Sequence, residues 1–258
     1  MERIILIILT LNFVFAPAFS QLREFTNVYT EEFDLAYETY ADVPRGLLEA
    51  IAYNRSNVRN LSNSEMESCT GLPKTYGLFG LVEDGQGYFS NTLELVADRA
   101  DVDIVNLKTE SGTQIEAYAK VLSSYLDDET TSEEIAQALR HLSELPHETP
   151  AQTFALDLQT FEILFLLNSR SFMSKLGYET LNLDLETVFG SNLPILSSKR
   201  ILMNGEHIYN ESGETYVRGG GISPCFDYAS DAYVQTPTCN YSSRSGTAIS
   251  AVTIHTIQ

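Results

Sequence analysis

The chain contains no tryptophan, three cysteines, and fewer than half as many basic as acidic residues. Against 35 Asp and Glu stand 16 Lys and Arg, a formal charge of −19. Such a surface repels phosphate backbones, so DNA or RNA is a poor partner. It also exerts little electrostatic pull on anionic lipid. An uncharged or mixed polymer remains open as a target. The lack of Trp removes the usual platform for stacking sugars, although 14 Tyr can stack in its place.

Long apolar runs are also scarce. The one near the start, from Ile4 to Phe15, follows Glu2 and Arg3 and leads into Ala16-Pro17-Ala18-Phe19-Ser20. Its apolar core is about a dozen residues, against roughly 20 for a bilayer crossing. Small residues at alternate positions then give a signal-peptidase pattern, so residues 1–20 are expected to be a signal peptide. No later stretch is long and apolar enough to span a membrane after cleavage.

Cys69, Cys225 and Cys239 are an odd number for an exported chain, where disulfides persist. A bridge between Cys225 and Cys239 would contribute about 3 kcal/mol. Cys69 could equally pair with either, and all three pairings stay open. No CxxC or nearby His accompanies them, which argues against metal ligation.

Residues 21–190 read as mostly helical. Leu47, Leu48, Ile51 and Ala52 recur at helical spacing behind Pro44 at a first-turn position. Ile115, Tyr118, Ala119, Leu122 and Leu126 form a second stripe, with Ser111 and Thr113 as candidate caps. Ile135, Ala138, Leu139 and Leu142 form a third, entered through Thr131-Ser132-Glu133-Glu134. Phe154 to Leu167 is apolar on nearly every side and is expected to be the central buried helix. Glu162 within it is either paired or on an exposed edge.

Residues 191–245 change texture to a β-hairpin and linker. Ile201–Met203, His207–Tyr209 and Thr215–Val217 are strand-like, and Asn204-Gly205 is a hairpin signal. Gly219-Gly220-Gly221, Pro224 and Pro237 mark the linker. Ile249 to Ile257 alternates and reads as a strand opening another unit, residues 246–258.

Two segments carry chemistry. Val43-Pro44-Arg45-Gly46-Leu47-Leu48-Glu49-Ala50-Ile51-Ala52-Tyr53-Asn54-Arg55-Ser56 precedes Tyr76-Gly77-Leu78-Phe79-Gly80-Leu81-Val82, then Val105-Asn106-Leu107 and Gln114-Ile115-Glu116-Ala117-Tyr118. Over residues 30–126 this order resembles the lysozyme-like domain of soluble lytic transglycosylases. There, a Leu- and Ala-rich helix ending in Glu-Ser precedes a glycine turn and another helix. The resemblance implies a groove between the Tyr53–Ser56 helix end and the Tyr76–Leu81 turn. It makes Tyr53, Arg55, Tyr76 and Phe79 the substrate-binding candidates.

The position of that family's catalytic acid is held here by Arg55, followed by the matching Ser56. Arginine stays cationic at any working pH, so it cannot protonate a glycosidic oxygen. Glu49, earlier on the same helix, should point elsewhere. Glu83 and Asp84 are the other carboxylates near the turn. A buried carboxylate facing that turn would revive a muramidase reading, the weakest of the three considered.

The second segment is Ile249-Ser250-Ala251-Val252-Thr253-Ile254-His255-Thr256. It resembles the first strand of zinc amidases related to phage lysozyme-type N-acetylmuramoyl-L-alanine amidases. By that resemblance His255 is the first zinc ligand, held rigidly by its strand, and the remaining ligands are expected beyond Gln258. His141, His147 and His207 sit in helix-end, loop and hairpin contexts and are expected to face solvent.

The expectation is therefore a mainly α chain: a lysozyme-like helical domain, a short β-hairpin and linker, and the first strand of a truncated α/β zinc amidase domain. It implies the wall-binding front part of a secreted or periplasmic peptidoglycan hydrolase. The intact enzyme would cleave the amide between N-acetylmuramic acid and L-alanine with zinc-bound water, and this chain alone would be inactive. The alternative is a non-catalytic exported peptidoglycan-binding module.

Overall fold

Helices form where an apolar stripe meets a start signal, and the computed structural model describes them over residues 28–61, 73–84, 86–127, 130–204 and 207–217. The expected signal peptide, the three cysteines, the triple glycine and the strand bearing His255 lie outside the described residues. Helix α1 (Thr30–Thr39) carries Glu31 and Glu32 in its first turn, where carboxylates oppose the positive end of the helix dipole. It buries Phe33, Ala36 and Tyr37.

Tyr37 also starts the next helix, α2 (Leu47–Ser56). Its hydroxyl accepts from the backbone N–H groups of Gly46 (2.9 Å) and Leu48 (3.0 Å) and donates to Glu49 (2.5 Å). A tyrosine from the preceding helix thus satisfies donors that a helix start leaves without partners. The helix begins later than the sequence suggests. Pro44 lies in the preceding turn, and Gly46 is the N-cap with φ of 92°. That backbone conformation favours glycine, and a Cβ there would also push the Met173 side chain, whose Cε would lie 2.7 Å away.

Strands β1 (Lys74–Tyr76) and β2 (Leu81–Glu83) pair antiparallel, Lys74 with Glu83 and Tyr76 with Leu81. The loop between them is Gly77-Leu78-Phe79-Gly80. Helices α3 (Thr92–Ala100), α4 (Ile104–Thr109) and α5 (Ser111–Ser123) follow. Three buried polar side chains clamp this hairpin. Ser56 Oγ donates to the Leu78 carbonyl (2.6 Å), while Gln114 Oε1 accepts from Leu78 N–H and Thr92 Oγ1 accepts from Val82 N–H (2.9 Å each). A Cβ on Gly77 would fall 2.3 Å from Gln114 Oε1, which fixes that glycine.

The α5 stripe is buried at Ile115, Tyr118, Ala119 and Leu122, with Leu126 buried just beyond the helix. Its caps differ from expectation. Glu110 is the N-cap, Ser111 is already helical, and the Thr113 hydroxyl donates to Glu110 Oε2. Helix α6 (Ser132–His141) opens on a capping box between Thr131 and Glu134, as its sequence signals.

Helix α7 (Pro150–Asn168) packs along α2 and begins with a second capping box, Thr149 with Gln152. It buries Phe154, Leu156, Phe161, Ile163, Leu164 and Leu167. It is not buried all round, because Phe165 and Glu162 face outward. Glu162 accepts from Asn54 Nδ2 at 2.9 Å, so it is both paired and at an edge.

Helices α8 (Arg170–Leu176) and α9 (Leu185–Phe189), a 3-10 turn and α10 (Leu193–Leu196) lead to β3 (Ile201–Asn204) and β4 (His207–Asn210). These pair antiparallel, Asn204 opposite His207, as the Asn204-Gly205 signal anticipates. The third piece, 215–217, makes only a single bridge, Thr215 to Tyr209. Instead it docks: the Tyr216 ring meets Phe154 edge-on, and its hydroxyl donates to Asp157. The described residues are thus mainly helical, with two small two-stranded antiparallel sheets. No described helix is long and apolar enough to cross a membrane.

Burial pushes the Glu49 carboxyl up to about 7, against the Tyr37 hydrogen bond, which favours the anion. The folded chain therefore binds this proton more tightly than the unfolded chain, whose carboxyl titrates near 4.5. The term is favourable below that value and is lost as pH rises through 7. Glu49→Gln is expected to be more stable than the parent by about 3 kcal/mol at pH 8 and nearly equal at pH 4. Urea unfolding at both pH values measures it.

Candidate binding site

The Ser56–Leu78 bond lays the glycine loop across the end of α2. Gly80 packs against it: a Cβ there would sit in ordinary contact, 3.4 Å from Arg55 Cβ and 3.6 Å from the Arg55 carbonyl oxygen. Beside this junction is a cavity of about 230 Å³, lined by Asn54, Arg55, Leu61, Thr75, Gly80, Glu144 and Gln159. It occupies the place between helix end and turn where the groove is expected.

Its central feature is a buried charge. The Arg55 side chain is 3 % exposed, yet Nε, Nη1 and Nη2 have no hydrogen-bond partner. The facing carboxylate is Glu144, with Oε2 3.9 Å from Nη2, too far for a hydrogen bond. That Oε2 is likewise without a hydrogen-bond partner. Glu144 is held in place from behind. Its Oε1 accepts from Gln159 Nε2 (2.9 Å), and Gln159 Oε1 accepts from Ser143 Oγ (2.8 Å). The Tyr118 hydroxyl is a third buried group without a partner. Burial raises its pKa, Arg55 opposes the rise and Glu144 adds to it, so it lies within reach of both charges.

Burying ionic groups without hydrogen bonds costs several kcal/mol. The three Arg55 nitrogens and Glu144 Oε2 are each closed to solvent, so the two charges face one another behind the cavity wall at ion-pair distance without a hydrogen bond.

Of the four sequence candidates, Arg55 lines the cavity and the others do not. Tyr53 is half-buried, its ring packed against Phe172 at 5.3 Å. Tyr76 donates its hydroxyl to Glu83 Oε2 (2.9 Å), and Lys108 Nζ lies over its ring at 4.5 Å. Phe79 is fully buried and stacked on Tyr118 at 4.1 Å, so it braces the site from the core and presents no face to a ligand.

Among the carboxylates, Glu83 accepts from Lys108 Nζ at 2.8 Å, and that bond first, with Tyr76, holds its pKa below the usual range. It stays ionised and cannot serve as a general acid near neutrality. Asp84 accepts backbone N–H bonds from Gln86 and Phe89, which hold its pKa low too. Glu49 sits beside Tyr37 at the opposite end of α2. Glu144 is the one acid among the lining residues, and no local pattern around Ser143-Glu144-Leu145 marks it.

Among the described residues no three His, Cys, Asp or Glu side chains are grouped to hold a metal ion. His141, His147 and His207 are exposed, His141 stacked on Tyr125 at 5.3 Å. The expected zinc ligand, His255, lies outside the described residues.

If the Arg55–Glu144 pair exists for a ligand, it should burden the fold. The double change Arg55→Met with Glu144→Gln is expected to raise unfolding stability by about 1–4 kcal/mol in chemical denaturation. A less stable double variant would mean that the pair holds the fold together. Compared with protein-family models, with curated proteins and with solved structures, the chain gives no match.

Proposed function

We propose that the chain is the wall-docking front part of an exported N-acetylmuramoyl-L-alanine amidase, and that it holds peptidoglycan at the cavity beside Arg55. The single observation carrying this reading is the buried guanidinium, without a hydrogen bond and with Glu144 at 3.9 Å, which by the resemblance stands at the helix-end position where lytic transglycosylases keep their acid. A cation there can bind but cannot protonate. The place suited to catalysis in the resembling family would serve recognition in this chain. The acidic exterior agrees with a polymer that is neither nucleic acid nor membrane.

On this reading the amide-cleaving chemistry belongs with zinc and His255, and the helical part contributes binding and orientation. Export to the periplasm or the outside of the cell follows from the signal-peptide pattern and is part of the same proposal.

Sedimentation of the purified chain with insoluble peptidoglycan, followed by dye release from the same wall, is the test. Co-sedimentation without release is the expected result. Release of glycan fragments would instead assign an acid role to Glu144, and a chain left in the supernatant would remove the docking reading.

A further inference from the structure

Wall docking, as proposed, uses the Arg55 end of α2, and the other end of that helix holds a buried acid with no part in it. Glu49 is 1 % exposed. Tyr37 of α1 donates to its Oε2, while the same hydroxyl accepts the Gly46 and Leu48 N–H groups that open α2. The Tyr178 hydroxyl, on the segment that follows α8, also lies within hydrogen-bonding reach of the Glu49 carboxyl. That hydroxyl meets Asp34 Oδ1 of α1 at 3.3 Å, and Arg45 pairs with the same oxygen at 3.1 Å. The Arg45 guanidinium lies over both tyrosine rings, 5.5 Å from Tyr37 and 5.9 Å from Tyr178. One cluster therefore joins α1, the start of α2 and the chain leaving α8.

The ionisable groups facing Glu49 are Asp34 and Tyr37 from α1, Arg45 from the turn before α2, and Tyr178. From α8, Met173 packs beside Gly46, whereas Arg170 and Lys175 are exposed. From α5, Glu116 acts on Tyr40. Each phenol has a single proton to donate. Tyr37 commits its proton to Glu49, but Tyr178 has two carboxyls within reach and one proton for them.

With Glu49 neutral there is no conflict. Its own O–H donates to Tyr178, Tyr178 donates to Asp34, and Arg45 balances the Asp34 charge. With Glu49 ionised, a buried anion needs a second donor, and it needs one more than half-exposed Asp34, which keeps Arg45 and water. The hydrogen-bonded chain supplies the route. As Glu49 passes its proton to the Tyr178 oxygen, the former Tyr178 proton leaves outward to water, and the new O–H points back at Glu49. One proton is lost and the hydroxyl is reversed. Burial keeps Glu49 protonated up to about 7, so the reversal falls near neutrality. Tyr178, which burial and then the Glu49 charge push up to about 12, holds a proton throughout.

We propose that Glu49 and Tyr178 form a pH-sensitive latch between α1 and the chain leaving α8. On the acid side of neutrality Tyr178 fastens Asp34. On the alkaline side its hydroxyl turns to Glu49 and the fastening opens, loosening the segment that begins at Tyr178.

Carbon-edited NMR of the full chain from about pH 5 to 9, reading Glu49 Cδ and Tyr178 Cζ, tests the proposal. The two signals are expected to shift together with one midpoint. The Tyr178 N–H, which donates to the Met173 carbonyl at 3.0 Å, should lose about fivefold in exchange protection over that range once the intrinsic rate is divided out. Glu49→Gln should hold the Tyr178 signal and the protection at their acid-side values throughout. Tyr178→Phe, which removes the relay, should leave protection at that position low and independent of pH. A Tyr178 Cζ signal that stays fixed while Glu49 titrates would overturn the latch. Protection that still falls in Tyr178→Phe would overturn it too, because Glu49 would then act on the fold as a whole. A Glu49 signal that does not move over the range would remove the switch. The paired Cδ and Cζ titrations need only the parent chain, so a variant that fails to fold does not blur them.

Discussion

Ser56 ends α2 with its hydroxyl inside the hairpin loop, 2.6 Å from the Leu78 oxygen, so the loop must cross the helix end at backbone distance. At that crossing Gly80 takes a φ of 55° that favours glycine, and a Cβ on Gly77 would run into the Gln114 side-chain amide. Gln114 and Thr92 fasten the same hairpin from α5 and α3. Each is buried, and each satisfies a backbone group that would otherwise be stranded without water. Four elements are thus tied at one point by hydrogen bonds whose geometry tolerates little slack. The cavity is the space left beside that knot.

The charge placed in this space runs against the balance of the molecule. The chain as a whole is strongly acidic, yet a buried arginine lies beside the crossing, with its nitrogens unused and one carboxylate held back at 3.9 Å. Phe79 and Tyr118, both fully buried, stack on one another in the adjoining core. In such a setting a hydrogen-bonded counter-charge is worth more than at the surface. On the docking reading, fold and recognition would pull in opposite directions at Arg55, as they do wherever binding groups are kept ready at the expense of stability.

Local signals were readable and distant ones were not. The capping box at Thr131 and the Asn204-Gly205 hairpin depend on residues within a few positions, and both formed as their chemistry requires. The glycine loop was visible as a turn, and its nearness to the α2 end came through family resemblance. Tyr37 capping a different helix had no signature, because nothing in the spacing of Tyr37, Gly46 and Leu48 reveals that they meet. Glu144 and Gln159 were missed for the same reason: they reach Arg55 only after α6 and α7 have packed. Phe79 is a substrate-binding candidate through the resemblance alone, and its burial shows that the core uses the ring.

Following the Arg55 Nε–Hε signal by nitrogen-edited NMR, while soluble muropeptides are added to the full chain, measures the central claim at the atom that carries it. The account predicts a large shift and slower exchange with water at that signal, with the Gly80 amide moving in step. An Arg55 signal that stays in place while wall fragments shift other residues would contradict it, because the wall would then be held somewhere else.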